Sequence, residues 1–211
     1  MICVCSPQMA RRAKPKDGYH HGNLRQALLG AAIELIAERG AHGLSLRECA
    51  RRAGVSHAAP YRHFADKDAL LFAIAELGFE KLYAAGVAAM EGVDDPLERL
   101  DAYGIAYVRF ALENPVLLRV MFTLQFETPK DTTDATDVGT PAFDLLQQAA
   151  AEVVGPDVDS YTAAFAAWAL PHGLSMLVLD GRVPPELVED ADAVEKLARS
   201  VYAMWRGPLG R

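Results

Sequence analysis

The chain reads as all-α, and three observations say so. Apolar residues recur at helical spacing along almost its whole length. No segment alternates apolar and polar residues as a half-buried strand does. Residues 44–67, LSLRECARRAGVSHAAPYRHFADK, hold two short helical patterns separated by a glycine turn, the layout of a helix-turn-helix. Together they predict a three-helix head followed by a helical bundle, about nine helices in all.

The first helix runs from about Asn23 to Arg39, with a buried stripe of Leu24, Leu28, Ala31, Ala32, Leu35 and Ile36, and Gly40 ends it. In the second, Leu46, Cys49, Ala50 and Ala53 form one apolar face, while Arg47, Glu48, Arg51 and Arg52 lie opposite as a solvated face. Ser45 caps it, with Glu48 as capping-box partner. Gly54 turns the chain through left-handed backbone angles. Ser56 then caps a third helix carrying His57, Tyr61, Arg62 and His63, with Val55 and Phe64 in the core. Pro60 faces the head's core and removes one early helix bond, so this helix is short or slightly kinked.

Asp66 caps a long fourth helix running through Leu70, Leu71, Ile74, Leu77 and Tyr83 to about Met90. No Pro or Gly linker precedes it, so head and body share a helix. The fifth helix opens at Pro96 and ends near Glu113, where Asn114-Pro115 breaks the chain. The sixth spans about 115–126, residues 127–139 form a polar loop, and the seventh covers about 141–154. The eighth covers about 158–180 with Pro171 inside it, and the ninth follows Pro184-Pro185 and reaches Trp205. The expected division is a basic arm over 1–19, a helix-turn-helix domain over 20–66 and a ligand-binding and dimerisation domain over 67–211.

A formal charge of −7 argues against a nucleic-acid partner, but its distribution argues for one. Residues 1–66 carry ten Lys and Arg against five Asp and Glu, a charge of +5, and residues 67–211 carry −12. A basic head on an acidic body is the electrostatic footprint of a DNA-binding domain joined to something else. Arg62 can grip guanine O6 and N7, the Ala58 and Ala59 methyls suit a thymine methyl, and His57 can donate or accept. Arg11, Arg12, Lys14 and Lys16 in the arm add backbone or minor-groove contacts.

The Gly-Val-Ser, Tyr-x-His-Phe and acid-Lys-acid sequence of this segment resembles the TetR family of bacterial repressors, specifically over residues 23–72. Trp168, His172, Gly173 and Leu174 resemble, more weakly, the body of that family's Trp-His-Gly subgroup. The resemblance implies a DNA-binding head and an all-helical ligand-binding, dimerising body. It implies phosphate contacts for Ser45, Tyr61, His63 and Lys67, and base contacts for His57, Ala58, Ala59 and Arg62. The plainer alternatives are that Tyr61 and His63 are packed structurally.

The body is rich in aromatic residues and methionine at helical spacing. Tyr103, Tyr107 and Phe110 share a face of the fifth helix, and Trp168, His172 and Met176 share one of the eighth. With Phe122, Phe126, Phe143 and Phe165 they are either ordinary core or the wall of a cavity for a small apolar or aromatic effector, where Tyr107, Gln147 and His172 are the polar groups. Pro171 frees a backbone carbonyl at that level. Leu174, Leu177, Val178, Val194, Leu197, Val201 and Met204 offer apolar faces on the last two helices. In the family, such helices pair two subunits into a four-helix bundle, and a two-fold dimer calls for a palindromic double-stranded operator.

The expected function is ligand-responsive repression of transcription, without enzymatic activity and without cofactor or metal. One alternative is a constitutive regulator. Another is a small-molecule-binding protein with a vestigial head. No G-x-S-x-G supports a hydrolase. Asp131, Asp134 and Asp137 lack EF-hand spacing. Cys49 reads as core, and Cys3 and Cys5 form a C-x-C pair with no second pair at zinc spacing; Met9 is an alternative initiator. The N-terminus lacks the charge order of a secretory leader, and no run approaches the ~20 uninterrupted apolar residues of a membrane helix, so a cytoplasmic location is expected.

Overall fold

A computed structural model describes residues 21–122 and 140–206. Its described residues hold eight α-helices and no strand: α1 (His21–Arg39), α2 (Leu46–Arg52), α3 (Lys67–Met90), α4 (Pro96–Glu113), α5 (Pro115–Phe122), α6 (Thr140–Val154), α7 (Ser160–Leu179) and α8 (Ala191–Arg206). The N-terminal arm, Cys3, Cys5, Phe126 and the 127–139 segment lie outside the described residues.

Local chemistry sets most boundaries. Gly40 and Gly54 adopt φ of 71° and 69°, as expected of the residues that end α1 and turn the chain after α2. The Ser45 hydroxyl oxygen accepts the Glu48 amide at 3.2 Å, and Asp66, Asp95 and Asp159 accept the third amide of α3, α4 and α7 at 2.7–2.8 Å. Asn114 leaves the helical region before Pro115.

The expected third helix is the main correction. Residues 57–63 form turns and a 3-10 segment, Pro60–Arg62, rather than an α-helix. Proline has no N–H to return to the Ser56 carbonyl, which instead accepts from Ala59 at 3.0 Å. One i→i+4 bond survives, Phe64 to Pro60 at 3.0 Å. The segment therefore keeps a helical course, with Pro60 and Phe64 buried beneath it.

Two other expectations change. The Pro184-Pro185 pair starts only a 3-10 turn, Pro185–Leu187, and α8 begins later, where Asp190 accepts the Ala193 amide at 2.8 Å. Tyr83 points outward, 41% exposed, and Leu82 takes the inner position.

Packing is built around α4, which contacts α3, α5, α6, α7 and α8. One apolar cluster runs unbroken from the head (Leu28, Leu35, Cys49, Phe64) along α3 (Leu70, Ile74, Leu82) into the body (Tyr103, Tyr107, Leu118). A second cluster, Ile105, Val108, Leu174, Val194, Ala198 and Tyr202, fastens α8 to α4 and α7. Leu174 and Val194, expected on a subunit face, are thus buried within the chain, whereas Leu177 and Met204 remain more than half exposed. The reason is geometric: α8 needs its own inner stripe before it can present an outer one.

By length and mean hydropathy α7 is apolar enough to cross a membrane, although Ser160, Thr162, Pro171, His172 and Ser175 interrupt its apolar run. Its buried residues, among them Ala164, Pro171 and Leu174, pack on neighbouring helices. A second stripe, Tyr161, Phe165, Ala169, Gly173 and Leu177, follows strict i, i+4 spacing, and all but half-buried Gly173 are exposed.

Glycine positions give opposite expectations. A Cβ on Gly104 falls inside the Tyr202 phenol, whereas one on Gly30 meets open space. Overpacking costs about 1–3 kcal/mol, and alanine regains about 1 kcal/mol of helix propensity. Gly104→Ala is therefore expected to lose up to roughly 2 kcal/mol in urea unfolding, and Gly30→Ala to gain roughly 0.5–1 kcal/mol.

Candidate nucleic-acid interface and aromatic body cluster

The turn between α2 and α3 carries most of the residues expected to face DNA. His57, Ala58, Tyr61 and Arg62 are exposed on it, Tyr61 by 52%. Ala59 is not: its methyl is half-buried and packs on the head's core, because it immediately precedes buried Pro60. His63 is half-buried, its ring tilted 6.4 Å from that of Phe64. Lys67 is the first residue of α3, and Ser45 caps α2 from an exposed position. The Ser45 oxygen accepts an amide proton, which leaves its O–H to donate outward.

Arg39, Arg51 and Arg52 are held by carboxylates. Arg52 makes a two-pronged pair with Glu38, both bonds 2.6 Å, and reaches Glu34 at 3.4 Å. Arg51 bonds both Glu48 oxygens, at 2.6 and 3.0 Å, and Arg39 meets Glu48 at 3.3 Å. These hydrogen bonds hold the Glu38 and Glu48 carboxyls below the usual carboxylate range, against a smaller opposing effect of desolvation. The Arg51–Arg52 face is thus a structural brace. Cys49 is fully buried, and desolvation pushes its thiol up to about 11, as suits a core residue.

Arg25 joins this head to α3. Its guanidinium lies 5.7 Å from the Phe64 ring centroid and 3.7 Å from the Glu76 carboxylate.

In the body the structure brings together Tyr107, Phe122, Trp168 and His172. Phe122 packs 5.3 Å from Trp168 and 5.1 Å from His172, and Trp168 packs 5.5 Å from His172. Phe165 extends the cluster from Trp168 to Phe143. Two members escaped the sequence reading. Phe79 of α3 stands edge-on to Phe122 at 5.5 Å, and Tyr161 stacks on Phe143 at 6.0 Å. Spacing carried a signal for both: Tyr161, Phe165 and Trp168 are i, i+4 and i+7, and Phe79 follows Phe72 by seven.

The polar centre of the cluster is a 2.7 Å hydrogen bond between the Tyr107 hydroxyl and His172 Nδ1. Burial pushes the Tyr107 phenol up, offset in part by the nearby Trp168 indole. The imidazole tautomer sets whether the phenol or Nδ1 donates, and Nε2 is the ring's second polar atom. Desolvation holds the His172 imidazolium below its ordinary pKa.

Other expected lining residues lie elsewhere. Gln147 donates to the Ser160 hydroxyl at 2.9 Å, at the start of α7 and, by helical rise, ~18 Å along that helix from His172. Tyr103 donates to the Ala142 carbonyl at 3.1 Å, Phe110 is buried on α4, and Met176 is half-buried against the core. The carbonyl of Pro171 accepts from Ser175 at 2.7 Å. Among the described residues no group of three or more His, Cys, Asp or Glu could hold a metal ion.

Two family models match this chain: bacterial regulatory proteins of the tetR family over residues 28–74, and the tetracyclin repressor-like C-terminal domain over residues 100–201. A curated relative, the HTH-type transcriptional activator FasR of Mycolicibacterium smegmatis, is 30% identical over 146 residues, covering 64% of this chain and 67% of its own length. A solved protein of unknown function from Rhodococcus sp. RHA1 is 35% identical with a TM-score of 0.70, covering 90% of this chain and 98% of its own. A TetR/AcrR-family regulator from Thermobifida fusca is 25% identical with a TM-score of 0.62, covering 85% of this chain and 97% of its own.

The site carries a pH expectation. With its folded pKa depressed, His172 takes up its proton more readily in the unfolded chain, so its contribution to stability is present above the unfolded value near ~6.5 and is lost as pH falls from there through the lower folded value. NMR titration of the His172 ring is expected to give a midpoint below that of a histidine peptide. Tyr107→Phe, which removes the hydrogen bond to Nδ1, is expected to alter the Nδ1 and Nε2 shifts of neutral His172.

Proposed function

We propose that this chain, which belongs to the TetR family of bacterial regulatory proteins, is a ligand-responsive repressor working as a cytoplasmic homodimer. It is a DNA-binding transcriptional regulator by family, and no catalytic step is assigned to it. The observation that carries the ligand-responsive reading is the path of α3. Lys67 starts this helix at the proposed DNA surface, and Phe79, twelve residues on and ~18 Å along the axis, meets the aromatic cluster.

In this reading residues 20–66 are the reading head and 67–211 the sensing and pairing body. Arg62 and His57 address base edges, with the Ala58 methyl beside them. Ser45, Tyr61, His63 and Lys67 hold phosphates and fix the register. Ala59 drops out of the base-reading set because its methyl is turned inward. Pro60 makes the reading segment a rigid turn seated on Phe64, so its side chains are displayed by a buried anchor rather than by a long helix.

A small apolar or aromatic effector enters among Phe122, Trp168, Phe165 and Phe143 and takes the His172 Nε2 as its polar anchor. It repacks Phe122 against Phe79 and so tilts α3. The operator complex and the effector complex then favour different tilts, and each ligand weakens the other by the same factor. Support for pairing comes from the α7 stripe of Tyr161, Phe165, Ala169, Gly173 and Leu177, with Met204 of α8 also exposed. Its small residues let a two-fold related copy of the helix approach closely.

Selection from a randomised duplex library tests the DNA reading. The expected product is a palindrome whose half-site centres lie ~34–36 Å apart or at a multiple of that spacing; recovery of no enriched sequence overturns it. On the selected duplex, Arg62→Ala is expected to weaken binding by about 1–3 kcal/mol and relax one base position, while Tyr61→Phe weakens binding similarly for every sequence.

Naphthalene and decanoate, titrated in turn with Trp168 fluorescence as readout, test the coupling. A compound that occupies the cluster yet leaves duplex affinity unchanged contradicts it. For pairing, sedimentation of Leu177→Glu with Met204→Glu is expected to show monomer where the unsubstituted chain sediments as dimer.

A further inference from the structure

Three elements of the head meet at one arginine. Arg25 lies in the second turn of α1, and its guanidinium reaches two other elements at once. One is Phe64, which closes the turn between α2 and α3; the guanidinium carbon stands 5.7 Å from its ring centroid. The other is Glu76 of α3, whose carboxylate is 3.7 Å away. Phe64 is buried and Arg25 is half-buried, so the guanidinium stands between the ring and solvent. A planar guanidinium suits both tasks: it lies on an aromatic face and still directs N–H groups at a carboxylate. The other ion pairs of the head, made by Arg39, Arg51 and Arg52, join α1 to α2 or lie within α2.

As a stabiliser the ion pair counts for little, because its side chains are 42% and 40% exposed. Its place in the fold is what sets it apart. The Phe64 amide donates to the Pro60 carbonyl at 3.0 Å, the bond that keeps Pro60–Arg62 on a helical course. The Phe64 ring also lies 6.4 Å from the His63 ring. A shift of Phe64 therefore carries Tyr61, Arg62 and His63 with it. Glu76 stands between Ile74, buried in the core shared with the head, and Gly78, which meets Met121. Arg25 thus ties the turn to α3 where that helix passes from head to body.

We propose that Arg25 is a positioning residue for operator recognition. It holds Phe64 and Glu76 together and so sets the orientation in which the turn shows His57 and Arg62 to base edges, without itself touching the duplex. The proposal rests on the reading of that turn as the DNA surface. Phosphate contacts hold a duplex of any sequence and tolerate a small rotation of the turn, whereas two-pronged base contacts do not. Loss of the Arg25 contacts therefore falls on discrimination between duplexes and not on affinity at large.

The test compares Arg25→Gln, Glu76→Gln and the double substitution in the full chain. Each is titrated with the duplex enriched by selection and with a scrambled duplex of the same length. Glu76→Gln is the decisive variant. By charge alone, removing a carboxylate strengthens binding to every duplex; release of Arg25 instead weakens the enriched duplex relative to the scrambled one. Each single substitution is expected to lower the ratio of the two affinities by roughly two- to fivefold per head, the range a partly exposed cation–π contact supplies. The double substitution should lower it no further than Arg25→Gln does. The salt dependence of binding to the scrambled duplex should stay unchanged. In the DNA-free chain, Arg25→Gln is expected to move the ring signals of Phe64 and His63. Three results overturn the inference: a ratio that survives both single substitutions, equal strengthening of both duplexes by Glu76→Gln, or equal weakening of both by Arg25→Gln with a shallower salt dependence, the mark of a direct phosphate ligand. If the unsubstituted chain prefers neither duplex, the reading of the turn falls and the inference with it; a preference untouched by all three substitutions sinks the inference alone.

Discussion

Everything in this molecule that could act at a distance depends on α3 being buried at both ends in one continuous core. Its first turns pack Leu70, Leu71 and Ile74 against the head, and its later turns pack Gly78, Leu82 and Gly86 against the body. Two of those positions are glycine because neighbouring side chains fill the space. A Cβ at Gly86 would stand 2.6 Å from the Tyr103 ring, and one at Gly78 would collide with the Met121 sulfur. A helix gripped so closely along its length moves as a rod, since densely packed side chains transmit displacement instead of absorbing it. The Arg25 guanidinium, held between Phe64 and Glu76, adds a lateral strut from the reading turn to the same rod. α5 touches both α1 and α3, so the segment bearing Phe122 also borders the head.

Tyrosines in and against α4 show how the body treats polar atoms in its interior. Tyr103 and Tyr107 project from α4, and Tyr202 reaches it from α8. Burial pushes all three phenols up, so each is a neutral donor within the working range of pH. Tyr103 satisfies its hydroxyl on the Ala142 carbonyl and thereby locks α4 to α6. Tyr107 satisfies its own on Nδ1 of His172, an imidazole with a second polar nitrogen. Tyr202 has no such partner. A buried hydroxyl that is matched fixes packing, and one left unmatched costs stability. Both cases occur within two turns of the same helix.

The head was legible in the sequence because its signals are local. Caps, glycine turns and a 3.6-residue stripe require only neighbours in the chain, and Ser45, Gly54, Asp66 and the α1 stripe all behave as those signals demand. The reading segment was only half legible. Pro60 announced a defect, but whether a helix survives a lost bond is decided by what lies beneath, here Phe64 and the proline ring themselves. In the body, helix existence was readable and helix partnership was not. Aromatic spacing marked Trp168 and His172 as one face without telling which helix would meet it. Gln147 looked like a cavity group until Ser160 claimed it across the α6–α7 gap. Leu174 and Val194 looked available to a second subunit until α8 was seen to need them for its own seat. Such facts are tertiary, and periodicity carries no information about them.

Charge counting along the chain also misleads in a specific way. The head's formal +5 includes Arg25, Arg39, Arg51 and Arg52, yet each faces a carboxylate at hydrogen-bond or ion-pair distance. Counterion release scales with the phosphates neutralised, and cations already paired within the protein contribute little to it. Arg47 and Arg62 are exposed, and the four cations of the 1–19 segment complete the head's positive charge. One such head, joined to a body of −12, is a weak electrostatic ligand for a duplex. Two heads held at a fixed separation double the contacts while requiring the spacing to match, so geometry takes over the part that charge alone cannot play. That division explains why arginines near DNA would be used as braces. The ion pairs of Glu34, Glu38 and Glu48 hold α1 against α2 and give up attraction for a turn that always shows the same face.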